Sequence, residues 1–224
     1  KSNEIPAVQE LLQQMDIAGC LVVADALNCQ RETAKVIVSG KGDYLLSVKE
    51  NQPTLMQDIR DYVQDEALRG GMSAQSIREK SRERIEKRTA FVTQDIDWLP
   101  QKAQWDHLAC IGAIHTEFQT KAGKNSQWHY YISSRPLSAQ SLLHHARMEW
   151  AVESMHWLLD VHFEEDYLRV ANKTIRENLN LLRKFALGMI KQYKSKTTPK
   201  RAFSKLMFDC LLVPNMILRV LSQN

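Results

Sequence analysis

The stretch CLVVADALNCQRETAKVIVSGKGDYLLSVK, from Cys20 to Lys49, decides the fold class of this chain. Its opening run, Cys20 to Ala26, is short, apolar and rich in valine, which is the signature of a buried strand, and its C-terminal end delivers Asp25. A helical stretch around Arg31 to Val38 follows, then a turn through Gly40 to Asp43, then a second apolar run from Tyr44 to Lys49. Upstream, Ile5, Val8, Leu11, Leu12 and Met15 recur at helical spacing behind the possible caps Ser2 and Asn3, and Gly19 breaks the pattern. Helix, strand, helix, strand predicts parallel pairing in an α/β sheet.

Working outward, the character changes between residues 51 and 136. A polar helical stretch leads into the charged run REKSRERIEKR, Arg78 to Arg88, and then into three strand-like pieces, RTAFVTQ, HLACIGAIHTEF and WHYYISS. The last two are separated by a turn centred on Gly123, so this region reads as an inserted, mostly antiparallel β segment. After Pro136, Ser138 is placed to cap a long helix, and the remainder reads as helical with a break near Thr197 to Pro199. Three regions result: a core segment at 1–50, a β-rich insertion at 51–136 and a helical part at 137–224.

Composition narrows the function classes without choosing one. The 224 residues are 44% hydrophobic, enough for a real core, and the formal net charge of +4 permits an anionic partner without demanding it. Cys20, Cys29, Cys110 and Cys210 are scattered without CxxC or Cys/His clustering, which argues against a structural zinc site or a disulfide framework. No apolar run reaches membrane-spanning length and KSNEIPAVQELL has no signal-peptide pattern, so a cytoplasmic protein with no membrane partner is expected.

Two carboxylates stand out. Asp25 lies at a strand end, where it reads either as a functional acid or as the cap of the following turn. Glu153 shares a helical stripe with Ala146, Trp150 and Trp157, and reads either as a metal-binding acid or as a half-exposed partner of Arg147. Acids from a strand end and a neighbouring helix that converge on divalent cations are the equipment of two-metal phosphoryl transfer. Between Lys184 and Lys205 seven basic residues occur with no acid, among them Lys194, Lys196, Lys200 and Arg201; this is a DNA-binding strip or a solvated face. The run containing Arg84 and Arg88 alternates in sign and can pair internally or meet DNA. Trp150 and Trp157 are core residues or groove-lining ones, and His156 and His162 lack the neighbours of a metal site.

The ordered set VADALNCQ, GDYLLSVKENQ and RMEWAVESMHWLLDVHFEED resembles the H-repeat-associated branch of bacterial insertion-sequence DDE transposases. In that family a D-A-x-x-x-Q strand end carries the second catalytic Asp, matched by Asp25, Ala26 and Gln30. K-G-N-Q ends the next strand, matched by Lys49, Asn51 and Gln52. The catalytic Glu lies in a helix whose pattern is matched by Trp150, Glu153, His156, Trp157, Leu159, Asp160 and Val161. KSNEI at the start and YYISS at Tyr130 to Ser134 extend the resemblance over nearly the whole chain.

The resemblance implies an RNase H-like catalytic core interrupted by a β-rich insertion, with Asp25 and Glu153 as catalytic and metal-binding acids. It implies Mg2+ or Mn2+ as cofactor and the double-stranded DNA of transposon ends as partner, with Lys49, Arg84, Arg88, Trp150, Trp157, Lys194, Lys196, Lys200 and Arg201 as candidate DNA contacts. It places the protein in the bacterial cytoplasm, on the nucleoid when DNA-bound. The family's first Asp sits in an I-D-G-K motif upstream of KSNEI, and no I-D-G-K occurs in these residues. The expectation is therefore a partial core without its three opening strands, an exposed edge on the Asp25 strand, and a tendency to self-associate or to pair with a complementary N-terminal part. Glu50, Glu149 and Ser154 stand where the family has Gly, His and Asn, and Arg82 and Glu83 stand where it has His and Gly. Two outcomes are consistent with these features: a DDE transposase of impaired activity, or a non-catalytic remnant that at most binds DNA or related chains.

Overall fold

The computed structural model describes residues 4–80, 85–120, 123–164, 167 and 169–222, with the backbone alone at 120 and 149–153. The chain divides into two compact units, Lys1–Glu149 and Trp150–Asn224.

The first unit is built on one mixed sheet. Helix α1 (Glu4–Gln14) leads to β1 (Leu21–Ala24), and α2 (Arg31–Ser39) crosses over to β2 (Asp43–Val48). The crossover makes β1 and β2 parallel, with Leu21 opposite Asp43 and Ala24 opposite Leu46, as the apolar runs predict. Helices α3 (Pro53–Gln64) and α4 (Glu66–Gly70) precede β3 (Ser73–Lys80), β4 (Ile85–Thr93), β5 (Cys110–Thr120) and β6 (Gly123–Ser133). These four strands run antiparallel to one another, and β6 returns to pair with β2, so the order is β1-β2-β6-β5-β4-β3. Among the described residues β1 pairs with β2 alone and forms one margin of the sheet.

The strands alternate between two apolar layers. Leu46, Val48, Ile111, Ala113 and Ile132 face Leu12 of α1, Ile37 of α2 and Leu55, Ile59 and Val63 of α3. The alternate residues Leu45, Val92, Cys110, Ile114 and Tyr131 face Leu137, Leu142, Leu143 and Ala146, the first three turns of α5 (Ala139–Phe163) and its approach. Ser138 caps that helix, its Oγ accepting from Ser141 N at 3.1 Å. The junction of β6 and β2 is pinned by polar contacts: Ser134 Oγ and Arg135 Nε both donate to the Asp43 carboxylate, at 3.0 and 2.8 Å, and Ser133 Oγ donates to Tyr44 O at 2.7 Å.

The second unit is helical. It takes in the end of α5, then α6 (Lys173–Thr197), α7 (Phe203–Leu212) and α8 (Pro214–Leu221). Asn172 caps α6 and the helix ends at Thr197, where the sequence predicts a break. Ile190, Leu206 and Val220 form its buried cluster, with Phe163, Tyr193, Phe203 and Met207 packed around them. No described helix is long and apolar enough to cross a membrane.

One element departs from the sequence reading. Ser73 to Lys80 has no alternating apolar residues, yet it pairs with β4 along its whole length, from Ser73 opposite Val92 to Lys80 opposite Ile85. A strand at the sheet margin needs no apolar face of its own when its neighbour supplies the hydrogen-bonding edge.

Candidate active site at the end of the first strand

Asp25 is the first residue beyond β1. Its backbone is extended and its side chain caps a 3-10 turn, Ala26–Asn28. Oδ1 accepts from Asn28 N at 3.3 Å and from Asn28 Nδ2 at 3.1 Å, so one carboxylate oxygen is oriented by its own turn. Asp25 is thus the turn cap that one sequence reading expects, and it is exposed at the strand end with Oδ2 uncommitted among the described residues.

The turn is held from a second direction by the residues that follow β2. Asn51 Nδ2 donates to Ala26 O and, at 3.3 Å, to Cys29 O; Gln52 Nε2 donates to Cys29 O at 3.0 Å. Gln30 Nε2 closes the turn on Leu27 O at 3.2 Å. Asp25 and Gln30 of D-A-x-x-x-Q and Asn51 and Gln52 of K-x-N-Q thus form one hydrogen-bonded assembly around the Asp25 loop. Asn28 and Cys29 are buried beneath it. Burial first, and then the Asp25 charge, push the Cys29 thiol up to about 12, so it stays protonated and inert at neutral pH.

Glu153 lies on α5 in the second unit, whereas Asp25 belongs to the first; its side chain, like that of Trp150, lies outside the described residues. Arg147, its alternative partner, is ion-paired with Glu79 of β3. Trp157 is 57% exposed and meets the His162 ring edge-on at 5.6 Å, so it is no core residue.

The basic candidates separate into committed and open groups. Arg88 is ion-paired with Glu79 and Glu86, Arg201 with Asp209, and Lys194 Nζ donates to Pro199 O at 2.7 Å across the end of α6. Lys49, Lys196 and Lys200 are exposed. Arg84 lies outside the described residues. Sequence reasoning did not single out Asn28, whose role as the orienting donor to Asp25 rests on a turn geometry that spacing alone does not reveal. It also passed over Arg60 and Trp128, which line a cleft of about 290 Å³ with Lys49.

The profile described as "Transposase DDE domain" matches residues 1–189. The chain belongs to the DDE transposase family. It is 31% identical to YncI of Escherichia coli O157:H7 over 87% of this chain and 51% of that one. It is 32% identical to the H repeat-associated YhhI of Escherichia coli K12 over 85% of this chain and 52% of that protein. A protein encoded beside dhlA in Xanthobacter autotrophicus is 33% identical over 60% of this chain and 45% of its own length. The chain thus spans about half the length of the curated relatives it matches.

DDE transposases as a family use Mg2+. Around Asp25 the donor chemistry suits a hard cation in part: the carboxylate is exposed with Oδ2 uncommitted, whereas the Asn28 amide turns its Nδ2 toward Asp25 and its Oδ1 is buried without a hydrogen-bond partner among the described residues. No group of three or more His, Cys, Asp or Glu side chains able to hold a metal occurs among the described residues. Asp25 therefore fits as one ligand of such a site and does not complete it.

Proposed function

We propose that this chain is part of an insertion-sequence DDE transposase that cleaves and joins DNA, with Asp25 and Glu153 as the second and third of three metal-holding acids on a partial RNase H-like core. The observation that supports the reading is the meeting of two motifs from different strands at one loop: Asn51 and Gln52 bind the carbonyls of Ala26 and Cys29 in the loop that Asp25 opens, and Asn28 within that loop orients Asp25 Oδ1. Two parallel strands with α2 between them, and Asp25 beyond the first, support the RNase H-like assignment. On this reading the regions 1–50, 51–136 and 137–224 act as core segment, insertion and Glu-bearing helical part, and the family's first acid comes from outside these 224 residues.

Divalent cations held there would polarise the scissile phosphodiester and lower the pKa of the attacking water or 3′-hydroxyl. The protein's own contribution is positional. Asn28 fixes one Asp25 oxygen, Asn51 and Gln52 hold the loop against the end of β2, and the buried Cys29 thiol keeps a competing soft ligand protonated. Transposon-end DNA is the partner, and Lys49, Lys196 and Lys200 are the exposed cations offered to its phosphates.

The second reading is a remnant without catalysis. It is favoured by Glu50, an exposed carboxylate beside Lys49 where the family motif carries glycine, and by the changes at Glu149 and Ser154. Two measurements separate the readings. Mn2+ binding, followed by electron paramagnetic resonance, is expected to fall in Asp25→Asn; equal binding would remove Asp25 from the metal site. Mg2+-dependent nicking of terminal-repeat DNA, assayed with a polypeptide carrying the I-D-G-K segment, is expected from the parent chain and lost in Asp25→Asn and Glu153→Gln. Absence of nicking from the parent under those conditions supports the remnant.

A further inference from the structure

The charged hairpin of β3 and β4 is sorted by strand alternation. Side chains two apart share a face, and the register of the four insertion strands lines them up in rows across the sheet. One row is Arg78, Lys87, Glu117 and Ser126; the next toward the hairpin end is Lys80, Ile85, Gln119 and Lys124; the next inward is Ser76, Thr89, His115 and Trp128. The opposite face carries Glu79, Glu86 and Arg88, which neutralise one another together with Arg147 of α5. A run that reads in sequence as mixed charge is therefore split into an ion-paired face and a basic one.

On the basic face Glu117 is the acid among Arg78, Lys80, Lys87 and Lys124. Lys87 contacts it at 3.0 Å, and the Lys87 hydrogen bond, with Lys87, His115 and Arg78 charges nearby, holds its carboxyl below the usual range. The rows form a cleft of about 600 Å³ lined by Arg78, Lys87, His115, Glu117 and Lys124. His115 stacks on Trp128 at 4.4 Å, and Trp128 in turn lines the smaller cleft that holds Lys49 and Arg60, with Glu50 as its acid. Across the two clefts five cations face two carboxylates. Four strands at about 4.8 Å make a basic surface about 14 Å wide. Each strand of a duplex carries one phosphate per ~3.4 Å of helix axis, so more than one falls within that width.

We infer that this face of the insertion, from Lys124 and Arg78 across the His115–Trp128 stack to Lys49 and Arg60, docks the phosphodiester backbone of DNA. The inference rests on the reading that the chain handles DNA, but not on Asp25 or Glu153. Contacts of this kind position a substrate without reading its sequence, so affinity is expected to fall steeply with salt and to vary little with base order.

The test is fluorescence anisotropy of the full chain with labelled DNA of random sequence, as duplex and as single strand, over a salt series. Arg78→Gln/Lys87→Gln/Lys124→Gln is expected to weaken binding roughly tenfold or more at low salt and to reduce the salt slope by about one for each cation removed from a phosphate. A duplex preference would identify the grooved backbone as the ligand, and equal weakening on single strands a backbone recognised strand by strand; both support the docking face. If the triple variant has an altered melting temperature, Arg78→Gln/Lys124→Gln replaces it, leaving the Lys87–Glu117 pair intact. Unchanged affinity and slope in a folded variant overturns the inference. That result is distinguishable from failure of the proposed chemistry, which would show as absent nicking with these slopes still responding to Arg78 and Lys124.

Discussion

At the scale of single residues, Asn51 and Cys29 carry consequences out of proportion to their size. Asn51 Nδ2 serves two carbonyls, of Ala26 and Cys29, that sit in buried backbone. Truncation in Asn51→Ala removes both bonds while Gln52 still serves Cys29 O, so a loss of about 1–2 kcal/mol is expected. It should be read as a lower urea midpoint at unchanged slope. Asn51→Asp should be worse than Asn51→Ala, because it sets a carboxylate against two carbonyl oxygens; a variant as stable as the parent would show that the amide does not hold the loop. For Cys29 the sign follows from linkage. Its folded-state thiol titrates near 12 and its ordinary value is 9.0, so between those values the unfolded chain sheds a proton that the folded chain keeps. The stabilisation is complete below about pH 9 and is lost as pH rises, at up to ~1.4 kcal/mol per pH unit from this group. Urea midpoints compared at pH 8 and pH 10 should show that decline, and Cys29→Ala should flatten it; the same decline in Cys29→Ala would assign it to other groups.

At the scale of elements, the approach of α5 to the sheet turns on Gly112 of β5. A Cβ placed there would lie 2.6 Å from Leu142 Cδ2 and 3.4 Å from Phe91 O, and Leu142 is 1% exposed, with no room to withdraw. Alanine would gain roughly 0.5–1 kcal/mol from reduced backbone freedom, but overpacking costs about 1–3 kcal/mol and wins. Gly112→Ala is therefore expected to lower the melting temperature, and Gly112→Ala/Leu142→Ala to recover part of the overpacking cost; additive losses would place the strain elsewhere. The elements also show which parts of the fold were legible. Cys20 to Lys49 spelled out β1, α2 and β2 because parallel strands are written as continuous apolar runs, although β2 is buried and β1, at the sheet margin, is only half-buried along its length. Asp25 was legible as a strand-end acid, but the tie of its loop, through Ala26 O and Cys29 O, to Asn51 and Gln52 was not, since side-chain bonds to backbone across more than twenty residues leave no periodicity. β3 was missed because its strand character comes from pairing with β4. The sorting of charge across that hairpin follows by parity alone once the register is known.

At the scale of the whole chain, the two units are stabilised unequally. The first holds a sheet with helices on both faces, and β2 is buried along almost its entire length, with Tyr44, Leu45, Leu46 and Val48 each at 1% exposure or less. Among the described residues the second gathers a small buried cluster, Ile190, Leu206 and Val220, with Leu159 and Leu187 also buried, while Leu181, Phe185, Leu211 and Leu218 are each more than 60% exposed. Local stability tracks buried apolar contact, so the helical unit should open at lower free energy than the sheet. Native-state hydrogen exchange is expected to show the slowest amides in β2, β5 and β6, exchanging near the global unfolding limit. Amides of α7 and α8 are expected to exchange through smaller openings that respond weakly to denaturant. Gly112→Ala, which strains the sheet layer, should speed exchange in β5 and leave α7 and α8 unchanged if the units open independently. Protection in α7 equal to that in β5, falling together in the variant, would instead mean that residues 150–224 unfold only with the sheet.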